Sequence, residues 1–321
     1  MGRREGDCRA AVKPLRRRAG RGSVADGEGT DNNVKPAGLI AALLLAPACQ
    51  ARSIGPDDVD RMPASNPTAV IAYGVDPLQK GELRLPHGKG PFPVAIVIHG
   101  GCWTARLATL RNTAPMASAL AARGIATWNI EYRAWGNPGA GWPGTFQDWA
   151  AAADHLRELA KQYPLDLKRV AAVGHSAGGH AALWLAARRR LPADSEVRGR
   201  DPLPLKAAVA IDGPGDLKAV AEATEEFCSR RTVTRLMGGT PAETPQTYAQ
   251  GSPIELLPLG VPQYFVVSQF VRAEDAAAYA KRAGGDRVET LAPKDADHFN
   301  IIAPGEPQYR QVEALILKAL Q

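Results

Sequence analysis

A serine held between glycines is the first place where chemistry is conceivable. Gly174-His175-Ser176-Ala177-Gly178-Gly179 follows an apolar run (RVAAV, 169–173) and precedes an Ala/Leu-rich stretch, 180–189. A strand, a tight turn and a helix in that order force the serine into strained backbone, lift its Oγ above a sheet and set a helix amino terminus behind it, where negative charge is favoured. Ser176 is therefore a candidate nucleophile. Upstream, His99-Gly100-Gly101-Cys102-Trp103 ends the apolar run VAIVI, 94–98. Glycines there let backbone amides approach a substrate oxygen, so the amides of Gly101 and Cys102, completed by that of Ala177, are the expected oxyanion donors.

A serine nucleophile needs a general base, and six histidines compete for the role. His99 belongs to the glycine turn, His175 to the serine turn, His180 to the helix after it, His155 to a surface helix and His87 to an early loop. His298, in Asp297-His298-Phe299-Asn300, comes after the serine, behind a strand-like run (RVETL, 287–291) and ahead of the last helical pattern. Chain order selects His298.

Positioning such loops takes a layered scaffold. Strand-like runs fall at Ala69–Tyr73, Gly81–Leu85, Val94–Ile98, Ala126–Tyr132, Val170–Val173, Ala207–Ile211, Tyr264–Val267 and Arg287–Leu291. Helical patterns fall near Ala114–Arg123, Thr145–Tyr163, Gly178–Arg189, Glu274–Ala283 and Gln308–Leu320. Strands that are apolar on both faces, alternating with helices, predict an α/β fold with a mainly parallel sheet, whose ligands gather beyond the strands' carboxyl ends. The stretch Pro202–Pro262, rich in Pro, Gly and Thr, includes an expected excursion over the site.

These elements resemble the α/β-hydrolase superfamily, in particular its cap-poor esterase branch with an HGG-x-W turn, which includes kynurenine formamidase-like and feruloyl-esterase-like serine hydrolases. The resemblance covers residues 68–321 and takes in Asn129-Ile130-Glu131-Tyr132-Arg133, similar to the Tyr-Arg after the fourth strand of that branch. It implies an α/β-hydrolase fold with a small cap or none, and cleavage of a small carboxylic ester, less readily an amide, through a Ser-His-acid triad and an acyl-enzyme. No cofactor or metal is implied. Trp103, Trp135 and Trp142 are candidates to line an aromatic-accepting pocket.

The triad acid departs from the family pattern, which places an Asp turn after the strand preceding the histidine strand. Here QYFVVSQF, 263–270, is followed only by Val271-Arg272-Ala273 before the next helix. Asp275 and Glu274 lie nearest the expected place, Asp212 ends the preceding strand, and Asp295 and Asp297 flank the histidine. Asp275 is the expected acid. The missing turn also raises a second reading, a catalytically impaired or inactive binding protein on the hydrolase scaffold.

Composition bounds the rest. At 321 residues, with 45% hydrophobic and 22% charged residues, the chain suits a soluble globular protein and excludes a wholly disordered chain, a collagen or a coiled-coil rod. The net charge of +6 is concentrated at the start: residues 1–48 carry nine bases against five acids, leaving 30 against 28 for the remainder. A nucleic-acid partner is therefore not expected. Residues 1–33 read as disordered and, with a start at Val34, as a gene-start artefact. Residues 34–48 have the form of a signal peptide, and Leu45-Ala46-Pro47-Ala48-Cys49 resembles a bacterial lipobox, which implies an exported, periplasmic or membrane-anchored lipoprotein with lipid on Cys49. Residues 49–67 read as a linker. Cys102 and Cys228 remain in the globular part, paired or as separate buried thiols; no Cys/His cluster has zinc-site spacing.

Overall fold

Runs of Val, Ile and Ala with no polar alternation can be stable strands only where both faces are covered. They form the middle of an eight-stranded sheet in the computed structural model of the chain, which describes residues 53–223, 228 and 230–321. The strands are β1 (Ala69–Ala72), β2 (Lys80–Arg84), β3 (Phe92–Ile98), β4 (Ala126–Ile130), β5 (Leu165–His175), β6 (Ala207–Ile211), β7 (Gln263–Val266) and β8 (Val288–Leu291). Their spatial order is β1-β2-β4-β3-β5-β6-β7-β8; β1, β2 and β4 pair antiparallel, and β4 through β8 run parallel in that order.

The helices are α1 (Pro56–Arg61), α2 (Ala114–Ala122), α3 (Gly144–Asp154), α4 (Leu156–Leu159), α5 (Ala177–Ala187), α6 (Leu217–Glu222), α7 (Arg230–Met237), α8 (Pro245–Gly251), α9 (Ala273–Arg282) and α10 (Pro307–Leu320). Side chains alternate between two cores, as the period of a strand requires. Val94, Ile96 and Ile98 share one core with Trp149 of α3 and Leu183 of α5. Ala95 and Val97 share the other with Met116 and Leu120 of α2 and Val312 and Ile316 of α10.

Strand order decides where the site lies. From β3 the chain moves to β4 on one side and returns to β5 on the other, so the order reverses between β3 and β5. A crevice opens beyond the carboxyl ends at such a reversal. The register aligns those ends: Ile98 faces Gly174, His175 faces Ile211 and Ile211 faces Val266. His99, Ser176 and Asp212 therefore leave the sheet along one edge.

Two expectations change. Residues 53–67 are a docked segment and not a free linker: Val59 of α1 is fully buried, and Asn112 and Arg111 bond to Asp60. Between β6 and β7 the excursion is built from α6, α7 and α8, each only six to eight residues long, shorter than the window over which a helical period is read. The leader, signal-peptide and Cys49 expectations lie outside the described residues.

Candidate active site

The serine turn is strained as its sequence requires. Ser176 has φ 56° and ψ −122°, a left-handed conformation costing a non-glycine residue about 1–3 kcal/mol. Neighbouring bonds hold it there: its amide donates to the Ile211 carbonyl at 2.8 Å and its carbonyl accepts from the Gly179 amide at 2.8 Å. Ser176 leads directly into α5. The glycine turn lies against it, since a Cβ on Gly100 would sit 2.9 Å from Ser176 Cβ and 3.0 Å from the His175 carbonyl oxygen. Glycine at 100 is thus what allows the two turns to pack this closely.

Beneath the glycine turn is a buried polar frame. The Tyr132 hydroxyl donates to the carbonyl oxygens of His99 (2.9 Å) and Gly100 (3.2 Å), and its ring stacks on His99. His99 Nε2 lies 2.8 Å from Glu131 Oε1. Burial opposes the charge of Glu131, but His99 and the amides of Leu110 and Tyr132 hold its carboxyl below the ordinary range. Arg133 grips the fully buried Asp148 through two side-chain bonds, at 2.9 and 2.6 Å. Of the Tyr-Arg pair of the sequence, Tyr132 therefore braces the turn above it, while Arg133 ties the end of β4 to α3.

His298 occupies the loop after β8, and Asp297 shapes that loop by accepting from the amides of Phe299 (2.9 Å) and Asn300 (2.7 Å). The His298 backbone is fixed on both sides: its amide donates to Gln269 Oε1 at 3.2 Å, and its carbonyl accepts from His175 Nε2 at 2.7 Å. The ring, nearly buried, places Nδ1 2.6 Å from Oδ2 of Asp212. Its partner is thus Asp212 and not Asp275.

The reason is geometric. Asp212 leaves β6, the strand beside β5, at φ 48°, and its fully buried carboxylate accepts from the amides of Val271 (2.7 Å), Phe270 (3.1 Å) and Ser268 (3.2 Å) and from the Ser268 hydroxyl. Burial works against ionisation, but the hydrogen bond and charge of His298, then Ser268 and Val271, keep the carboxyl below its usual range. The short loop after β7, which lacks an acid of its own, wraps its amides around the acid of β6. Asp275 lies in the first turn of α9, about half exposed and paired with Arg272; Glu274 pairs with the same arginine. Asp297 is spent on its own turn, and the backbone carbonyl of Asp295 accepts from Asn300.

His175 has a place that its position inside the serine turn does not reveal. Its ring centroid lies 4.5 Å from that of His298, and its Nε2 holds the His298 carbonyl. Burial, then the neighbouring His298, push its imidazole down to about 3; burial pushes that of His180 down to about 4, against the pull of the Gly251 carbonyl. Between about pH 6.5 and 4 the unfolded chain takes up two protons that the folded one refuses. Stability should therefore rise with pH there, by at most about 1.4 kcal/mol per pH unit for each histidine. Urea unfolding at pH 6 and pH 5 should show this slope in the wild type and roughly one proton less in His180→Gln; equal slopes in the two proteins would refute it.

The expected aromatic pocket is only partly assembled from its tryptophans. Trp103 is fully buried, with Nε1 donating to His180 Nδ1 at 3.3 Å, so it belongs to the core. Trp135 is half-buried under the Arg235 guanidinium, 4.2 Å from its centroid, and Trp142 packs edge-on to Phe146. A cleft of about 490 Å³ opens elsewhere, walled by Pro214, Ala219, Val220, Cys228, Phe270 and Val271. Cys228 is disulfide-bonded to Cys102, whose pairing the sequence leaves open. Among the described residues no group of His, Cys, Asp and Glu is arranged to hold a metal ion.

A family model, BD-FAE, matches residues 82–269, more than half of the chain and the stretch that holds the glycine turn, the serine turn and Asp212. The chain belongs to the BD-FAE family. This is an α/β-hydrolase esterase family, so the chain is a hydrolase acting on ester bonds. Solved structures agree with the BD-FAE fold. A truncated carbohydrate esterase from gut microbiota is 19% identical, covering 80% of this chain and 98% of its own, with a TM-score of 0.66. Esterase B of Lactobacillus rhamnosis is 21% identical over 82% of this chain and 89% of its own, at 0.66. A bacterial heroin esterase is 21% identical over 79% and 84%, at 0.60. None of the curated proteins compared matches the sequence.

Proposed function

We propose that this BD-FAE hydrolase is a serine esterase acting on a small carboxylic ester, with an amide as the poorer substrate, through Ser176, His298 and Asp212. The observation that carries this reading is the 2.6 Å bond from His298 Nδ1 to the buried Asp212, on the same sheet edge as the strained Ser176. With Nδ1–H held by the carboxylate, Nε2 is the nitrogen left to take the serine proton. Ser176 Oγ attacks the ester carbon, His298 accepts its proton and returns it to the departing alkoxide, and water then repeats the sequence on the acyl-enzyme. The amides of Gly101, Cys102 and Ala177 stabilise the tetrahedral oxyanion, and no cofactor takes part. The impaired-hydrolase reading rested on a missing acid; an Asp212 with five hydrogen-bond donors around it removes that motive.

Export to the periplasm, with Cys49 as a lipid anchor, is part of the same proposal. Its supports are the apolar run 37–46 ahead of that cysteine and the Cys102–Cys228 disulfide, since such bonds persist in oxidising compartments. One mass-spectrometric experiment on the native protein addresses both parts. A fluorophosphonate should add once, on the peptide containing Ser176, and the amino terminus should be a lipidated Cys49. A folded protein that takes no adduct would overturn the esterase reading, and an unprocessed Met1 would overturn export.

A further inference from the structure

Two consecutive non-glycine residues of the glycine turn, Cys102 (φ 49°) and Trp103 (φ 53°), sit in the left-handed region. Such backbone persists only where its surroundings over-determine it. From below it is held by the buried Trp103 ring on His180, by the Trp103 carbonyl accepting from the Trp135 amide (2.7 Å) and by the Gly101 carbonyl accepting from the Thr104 amide (2.9 Å). On its other side Cys102 is joined to Cys228, 126 residues later, with 5.2 Å between Cα atoms. Cys228 is nearly buried, lies between α6 and α7, and forms part of the wall of the 490 Å³ cleft.

We infer that the Cys102–Cys228 disulfide is a positioning crosslink for ester hydrolysis. It fixes the Cys102 amide where the oxyanion forms and ties the turn that carries that amide to Cys228. This rests on the reading of Cys102 as an oxyanion donor. Loss of one such donor costs about 10²–10³ in kcat, so partial misplacement is expected to cost about ten- to a hundredfold. The crosslink opens by exchange with a dithiol: one thiolate attacks a protein sulfur, the second closes the reagent's own disulfide, and two electrons and two protons end on Cys102 and Cys228.

The experiment uses the full chain. Dithiothreitol-reduced enzyme, with both thiols alkylation-positive by mass spectrometry, and the Cys228→Ser variant are compared with oxidised wild type on p-nitrophenyl acetate, well below the melting temperature of each. The expected result is a kcat lowered about ten- to a hundredfold with KM changed less than threefold, equally slowed fluorophosphonate labelling, and recovery of the reduced wild type on reoxidation. An unchanged kcat with only a lower melting temperature would make the bond merely structural, and a raised KM at constant kcat would make it a shaper of the cleft alone; either overturns the inference. Should Cys228→Ser not fold, the reduced wild type, shown native by circular dichroism, decides alone. An inactive Ser176→Ala alongside a fully active reduced enzyme defeats only this inference, whereas a fully active Ser176→Ala defeats the esterase reading beneath it.

Discussion

Ser176→Ala is expected to lower kcat for p-nitrophenyl acetate by about 10⁶, the cost of removing a nucleophile from a triad whose members act as one unit. What remains, about 10³–10⁴ over water, is the share of the oxyanion hole and of binding, neither of which depends on the hydroxyl. The substitution leaves the architecture alone. Alanine meets the same backbone demand as serine at φ 56°, the two structural bonds of residue 176 are made by its amide and carbonyl, and the side chain is almost fully enclosed. Far-ultraviolet circular dichroism and the melting temperature should therefore stay close to those of the wild type while turnover disappears. Equal turnover in the two proteins would end the esterase reading.

The parts of the site legible in the sequence are those whose chemistry and backbone demands coincide. Ser176 between glycines, the His99-Gly100-Gly101 turn and His298 ahead of the last helix each need a particular residue type at a particular element boundary, and local text can show that. The acid is different in kind. A carboxylate reaches His298 from whichever neighbouring strand ends close enough, and β6 lies beside β5 while α9, which carries Asp275, starts beyond the loop after β7. An available signal was the acid at the end of an apolar strand, Asp212, followed by Gly213-Pro214-Gly215; small residues there leave room for the serine turn, and a Cβ on Gly213 would lie 2.6 Å from the Ser176 carbonyl oxygen. Pairings across the chain depend on the fold. Glu131 with His99 and Tyr132 with the carbonyl oxygens of the turn join residues far apart in sequence, brought together by the pairing of β3 with β4, and between the two alternatives the sequence left for Cys102 and Cys228 the fold decides for the bond.

Asp212→Asn carries the other large expected effect, a loss of about 10⁴ in kcat, while Asp275→Asn should stay within about twofold of the wild type. The argument follows the hydrogen bonds. An asparagine at 212 keeps its loop by turning its carbonyl oxygen toward the amides of Ser268, Phe270 and Val271, which donate mainly to Oδ1 of the aspartate. Its NH2 then occupies the place of Oδ2 and faces His298 Nδ1. A donor there is satisfied only if Nδ1 is the bare nitrogen, which moves the ring proton to Nε2 and withdraws the lone pair that Ser176 needs. The Ser268 hydroxyl, which donates to Oδ2 in the wild type, turns to accept from the new amide, so the loop survives. Asp275 offers the contrast: half exposed and bonded to Arg272 at the start of α9, it has no part in this exchange of protons. Rates of ester turnover and of fluorophosphonate labelling measured on both variants decide between the two carboxylates, and an active Asp212→Asn beside a disabled Asp275→Asn would reverse the assignment.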